Sequence, residues 1–302
     1  MGKKNILKPY GKTDVLLYYS AIARKLEKYL KGKEIAAKNH LGKAAFMPFI
    51  LKRGSKISPL MIEEFREVNE SFLKTRKEIK SLKDAKNKIT KTQAKLWEYF
   101  LPRKLSELFY ATNNEGAKRD IERVFLDIDS NVSKEQTQKA TKELINIIKA
   151  DKSFNKRFKC EIFIMWTGKS FHIYIFLNKK IKNNMYNSAI AYSKADPKKG
   201  FIGKWAAQLQ KKFKFKISGG HEKIPRGITI DPSQTPSGKL CRAPFSLHLK
   251  NEKTVDGIAI PVTIKDLSNP NLIKTLQLYT PDRIIKDIDK LSAKLLKKHH
   301  IL

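Results

Sequence analysis

Asp127 and Asp129 stand two positions apart in "RVFLDIDS" (123–130), a stretch whose Val124, Phe125, Leu126 and Ile128 are apolar. Such a run reads as a buried strand, and in a strand residues i and i+2 project from one face. Two carboxylates side by side on a largely buried surface repel each other and lose hydration. A cation or a set of donors has to compensate them. The competing reading is that both face water at the strand's C-terminal end, with Asp129 starting a turn into Ser130 and Asn131. A second segment, "WTGKSFHIYIF", supplies Lys169, Ser170 and His172 at a strand entry, where Gly168 lets the backbone approach a ligand closely. Alternation puts Ser170 and His172 on one face, opposite Phe171 and Ile173. A third, "GITIDPSQ", ends an apolar strand in Asp231. Three carboxylates and a Lys/Ser/His cluster on strand ends suit two hard divalent cations and a triphosphate. Metals about 3.5–4 Å apart activate an attacking hydroxyl and stabilise the leaving pyrophosphate of an in-line displacement. Taken singly, His172 also fits a satisfied core histidine, and Asp231-Pro232 a plain turn.

These residues need elements to position them. Apolar spacing predicts a helix over 13–30 with Thr13 or Asp14 as N-cap. Ser58-Pro59 reads as an N-cap and N1 pair opening a helix that becomes Lys-rich over 57–89, and 91–100 reads as a third helix stopped by Pro102. Strand 122–129 then leads into a helix over 133–151, with Ser133 and Gln136 as a capping box. Runs 160–167 and 170–177 make a hairpin around Gly168-Lys169. Helices fit 185–195 and 201–213; strands fit 227–231, 240–249 and 256–264; Thr280-Pro281 opens a last helix to about residue 298. The fold class expected is α+β, with mixed, mainly antiparallel sheets. An N-terminal helical or mixed module over 1–120 packs on a core over 121–302, one continuous globular unit.

The chain has 302 residues, with 63 Lys+Arg against 29 Asp+Glu and a net charge of +34 spread along its length. Such a surface implies a polyanionic partner, nucleic acid before anionic membrane. A Lys excess also accompanies low-GC genomes and hot environments, so charge alone does not identify the partner. No run approaches a membrane-spanning length, and "MGKKNILKPYGK" lacks a signal-peptide core, so the expectation is a soluble, cytoplasmic protein associated with DNA. Cys160 and Cys241 read as buried thiols; two cysteines outside a CxxC pair make no structural zinc site. In "KWAAQLQKKFKFKISGGHEK" (204–223), Trp205, Phe213 and Phe215 fit either core or a base-stacking platform.

In order, "FLDID", "SFH" and "ITID" resemble the archaeo-eukaryotic primase superfamily, whose pattern is a strand ending in D-x-D or D-x-E, then S-x-H, then a strand ending in one acid. The resemblance implies an RRM-like catalytic core. It also implies that Asp127, Asp129 and Asp231 bind two Mg²⁺ or Mn²⁺ ions while Ser170 and His172, with Lys169, hold the incoming nucleotide's phosphates. "RAPFSLHLK" looks like the stretch after the third acid in small primase subunits, which makes Arg242, Ser246, His248 and Lys250 candidate triphosphate or ribose contacts. Its alternative is an edge strand with a satisfied histidine. The N-terminal "GKTDVLLYYSAIARKLEKYLKGKEI" and the stretch "IDPSQTPSGKLCRAPFSLH" are similar to the polymerase domain of bacterial ligase D. Carried over, Lys4 or Lys12 lies near a pocket for a DNA 5′-phosphate. His248 stands where ligase D polymerase domains usually have Arg, and the cysteines of primase zinc sites are absent.

The activity this implies is template-dependent addition of NTPs or dNTPs to a primer, in replication priming or in gap repair and non-homologous end joining. Partners would be template and primer DNA, and a DNA ligase, an end-binding protein or a primase large subunit. The reading from a different class is a non-catalytic basic nucleic-acid-binding subunit of a replication or repair complex, in which the acids are structural.

Overall fold

The computed structural model describes residues 14–42, 46–54 and 58–296. The chain forms two compact units, each discontinuous in sequence: one takes 1–110, 242–259 and 279–302, the other 111–241 and 260–278. Both mix helices with sheets that are mainly antiparallel, as the α+β expectation requires.

In the first unit, helix Val15–Leu30 starts where Asp14 accepts the Leu16 amide at 2.9 Å. Its apolar stripe, Leu16, Tyr19, Ile22, Ala23, Leu26 and Leu30, is buried. Asp14 is also held by the fully buried Arg76, whose Nε donates to it at 2.7 Å while Nη2 donates to the Phe100 carbonyl at 2.8 Å. Strand Glu34–His40 pairs antiparallel with Phe49–Lys52, Leu60–Met61 and Ser106–Ala111. This sheet was not expected, and it overturns part of the helical reading. Ser58-Pro59 precedes a two-residue strand and the 3₁₀ turn Ile62–Glu67; α-helix begins only at Glu70, behind Asn69 as N-cap, and ends at Glu78. Helix Lys91–Tyr99 forms as expected, capped by Thr90 and Gln93. The run 240–249 is interrupted, because Pro244 has no amide hydrogen and Phe245 takes φ +61°. The last helix breaks at Asp287 into Pro281–Lys286 and Ile288–Ser292.

The second unit holds β1 (Ile121–Ser130), α1 (Lys134–Ala150), α2 (Lys152–Arg157), β2 (Cys160–Trp166), β3 (Phe171–Ile181), α3 (Phe201–Gln210), β4 (Lys216–Gly219), β5 (Gly227–Asp231) and β6 (Ile260–Val262). Its sheet runs in the order β6, β2, β3, β1, β5, β4, antiparallel except between β4 and β5. Leaving aside β4 and β6, the order is that of the split βαβ, or RRM-like, arrangement. The capping box of Ser133 and Gln136 is present at the start of α1. The Ser130 hydroxyl meets Thr137 of α1 at 2.6 Å. By alternation α1 therefore covers the face of Leu126, Ile128 and Ser130, and Phe125, Asp127 and Asp129 point from the opposite face. Expected helix 185–195 is a shorter helical segment that starts earlier, an α-helical turn Asn183–Met185 running into the π-helix Tyr186–Ile190. Among the described residues, no helix is long and apolar enough to cross a membrane.

Candidate active site

Pairing register brings the acids together. Asp127, in β1, lies directly opposite His172 in β3 and directly opposite Asp231 in β5, so one carboxylate has an imidazole on one side and a second carboxylate on the other. Directly opposed residues share a face, with Cβ atoms about 4.5–5.5 Å apart. Asp129 is two residues further along that face, opposite Thr229. β5 stops at Asp231 because Pro232 carries no amide hydrogen to continue the ladder. The open edge of β1 is then satisfied by side chains. Thr235 Oγ1 accepts the Phe125 amide and donates to the Phe125 carbonyl, both at 3.0 Å, and the Asn113 side chain accepts the Glu122 and Arg123 amides.

Local chemistry holds each group. Asp231 is mostly buried and accepts the Ser233 amide at 2.8 Å. The nearby Tyr186 phenol donates to the Pro232 carbonyl at 2.8 Å and is pushed well above its ordinary pKa, first by burial and further by the charge of Asp231. His172 Nε2 is 3.5 Å from Asp127, its Nδ1 is 3.4 Å from the Tyr174 hydroxyl, and its ring packs edge-on against Phe125. The 160–177 hairpin turns at Gly168, whose φ of +97° no other residue adopts cheaply. The Thr167 amide donates to the Ser170 carbonyl at 2.8 Å and the Ser170 amide to Thr167 Oγ1 at 3.0 Å. Lys169 is exposed at the tip of this turn, and the Ser170 hydroxyl donates to the Ile128 carbonyl between the two acids of β1.

Lys223 is a residue that sequence reasoning passed over. It lies in the loop between β4 and β5, where the Thr229 hydroxyl donates to the Glu222 carbonyl at 2.8 Å, and its Nζ is 3.0 Å from Asp129. The hydrogen bond and charge of Asp129 raise its pKa, with the fields of Asp127 and Asp231 adding. One ammonium thus senses all three acids. The available signal was Gly219-Gly220 ending a strand just before a base and a third acid.

Asp127, Asp129 and Asp231 are hard oxygen donors on one face, the donor type that suits Mg²⁺ or Mn²⁺. As they stand they do not form a ready cage: among the described residues, no three His, Cys, Asp or Glu groups converge tightly enough to hold a metal ion. Lys223 meets part of the need for positive charge.

Arg242, Ser246, His248 and Lys250 lie in the first unit. Arg242 is buried, with Nη1 donating at 2.7 Å both to Glu107 and to the Leu247 carbonyl and its guanidinium over the Phe109 ring. Burial raises the Glu107 pKa, but Arg242, His40 and Lys38 outweigh it and hold the carboxyl far below its usual range. Ser246 is fully buried; its hydroxyl accepts the Leu108 amide and donates to the Leu247 carbonyl. His248 is half-buried and Lys250 exposed on strand Leu247–Asn251. Lys4 and Lys12 lie outside the described residues. Trp205 is core, its indole donating to Asp151 at 2.9 Å, whereas Phe213 and Phe215 form a half-buried ring pair. Cys241 is buried; Cys160, expected to be buried, is only half-buried.

No protein-family model and no curated protein matches the chain. Among solved structures, the polymerase domain of Mycobacterium tuberculosis ligase D, in complex with DNA, is similar with a TM-score of 0.56 and 14% sequence identity, over 98% of this chain and 98% of that one. At that identity the likeness carries the fold alone, and it is the fold that the ligase D resemblance implied.

Proposed function

We propose that the protein is a template-dependent nucleotidyltransferase that adds NTPs or dNTPs to a nucleic-acid primer. The observation that carries the reading is the register of Asp127 between His172 and Asp231, with Asp129 on the same face. Like charges directly opposite each other destabilise a sheet. Their occurrence at the centre of a six-stranded one points to use.

Asp127, Asp129 and Asp231 would hold two divalent cations. When bound, such ions neutralise the charge of the transferring phosphoryl group and make a bound hydroxyl more acidic. The chain's own residues do the rest. Lys169, on a turn whose glycine admits close approach, offers a mobile positive charge to phosphate oxygens. His172 presents an imidazole beside Asp127, where in its protonated form it donates to an anionic oxygen. Ser170, bonded to the Ile128 carbonyl, fixes the turn against β1 and so holds the phosphate-binding edge at a set distance from the acids. A net charge of +34 supplies the attraction for a polyanionic template.

Primer extension on gapped and open single-stranded DNA, with Mg²⁺ or Mn²⁺ and with rNTPs or dNTPs, tests this. Addition should vanish in Asp127→Ala/Asp129→Ala while salt-dependent DNA binding persists. Wild-type rates in the double variant would sink the assignment. The Lys223–Asp129 ion pair favours a second reading, a non-catalytic DNA-binding subunit whose acids are neutralised internally. No addition under any condition, with intact DNA binding, would favour that reading.

A further inference from the structure

The second unit carries a cation-lined cavity at the opposite end of β3 from the acids. Its volume is about 510 Å³, and Lys156, Arg157, Lys159, Lys179 and Lys180 line it over an apolar base that includes Phe158, Leu177 and Met185. Phe158 and Leu177 are almost wholly buried, whereas the five cations are exposed. From His172 to Lys179 the strand advances seven residues, about 23 Å at the usual rise. This cavity is not part of the acidic site.

Backbone pairing builds its walls. Cys160 of β2 faces Leu177 of β3, and the Asn178 amide donates to the Lys159 carbonyl at 2.9 Å, which fastens the end of α2 to the far end of β3. The guanidinium of Arg157 stacks 5.3 Å from the centre of the Phe158 ring and lies 3.6 Å from the Met185 sulfur, so it is held in place without a carboxylate. None of the five cations has an ion-pair partner among the described residues, and no acid lines the cavity. Elsewhere lysines of this chain do find carboxylates: Lys182, next in sequence, pairs with Asp120 at 3.3 Å. Five like charges around a concave, partly apolar space repel one another and gain from an anion. The volume falls in the range of small-ligand sites.

We propose that this cavity binds a nucleotide unit, with phosphate on the lysines and Arg157 and the base against Phe158, Leu177 and Met185. The unit comes either from a free nucleoside triphosphate or from a single strand of nucleic acid. The site is independent of the acidic centre and of the activity proposed for it.

Fluorescence anisotropy on the full chain in EDTA tests this, with labelled ATP in one arm and a labelled 5′-phosphorylated oligothymidylate in the other. EDTA removes metal-dependent binding at the acids. Arg157→Ala/Lys159→Ala/Lys179→Ala should weaken binding by about tenfold or more, since charge-assisted phosphate contacts are the strong ones. The charge-matched control Lys286→Ala/Lys290→Ala/Lys83→Ala, and Asp127→Ala/Asp129→Ala, should weaken it much less. Selective loss in the ATP arm identifies a free nucleotide, and selective loss in the oligonucleotide arm a strand. Equal affinities for cavity variant and charge-matched control in both arms would overturn the proposal.

Discussion

Replacing Asp127 by Asn should stabilise the metal-free protein while abolishing nucleotide addition. Asp127 and Asp231 are directly opposed, and unit charges about 5 Å apart repel by about 3 kcal/mol at an effective dielectric of 20. Asp127 is about one-third exposed and the Lys223 ammonium acts on both Asp127 and Asp231, so solvent and ammonium together reduce the net repulsion to about 1 kcal/mol. Asn keeps the shape and removes the charge. Thermal unfolding in EDTA at pH 8 should then show a Tm higher by about 1.5 °C, the shift that 1 kcal/mol produces in a chain of 302 residues at about 2.1 cal/mol/K of unfolding entropy per residue. Mn²⁺ should reverse the order. Wild type gains stability by binding an ion only its folded state can hold, whereas the variant has lost a ligand and gains less. A variant no more stable than wild type in EDTA, with an undiminished Mn²⁺ response, would refute the claim that these carboxylates share one face in mutual repulsion and await a cation.

Lys223→Ala removes the ammonium that sits on Asp129, so a divalent ion no longer competes with it; the Mn²⁺ midpoint for thermal stabilisation should fall, and an unchanged midpoint would mean that Lys223 stays in place when the ion binds. Glu107→Gln leaves Arg242 buried without its carboxylate and should cost about 3–5 kcal/mol in urea unfolding at pH 7. Because the folded pKa of Glu107 is depressed, its contribution is complete above the unfolded value near 4.3 and is lost as pH falls towards the folded one. The gap between wild type and Glu107→Gln should therefore narrow below about pH 4, and a gap that widens there would contradict the sign of the shift.

What the sequence made legible was what neighbouring residues decide among themselves. Ser133 and Gln136 cap α1 through bonds three residues apart, Gly168 turns the hairpin through its own φ, and the apolar runs of β1, β3 and β5 mark strands wherever the chain ends up. The face shared by Asp127 and Asp129 follows from period-two alternation alone. What stayed hidden depends on partners distant in sequence. Strand Glu34–His40, "EIAAKNH", has the composition of a helix or a loop, and it is a strand because Ser106–Ala111 and Phe49–Lys52 flank it. Ser58-Pro59 shows why a local signal can mislead: a fixed φ and a missing amide hydrogen suit the entry to a strand as well as the first turn of a helix, and here tertiary pairing with Ile35 decides. The site itself divides in the same way. Its acids were readable from strand ends, but that Asp127 faces Asp231 across one rung of the sheet, and that Lys223 reaches Asp129 from a loop, are properties of register and of a turn back onto Thr229. Register sets the distance between two carboxylates. It therefore decides whether three acids lie scattered over the surface or share one face of the sheet.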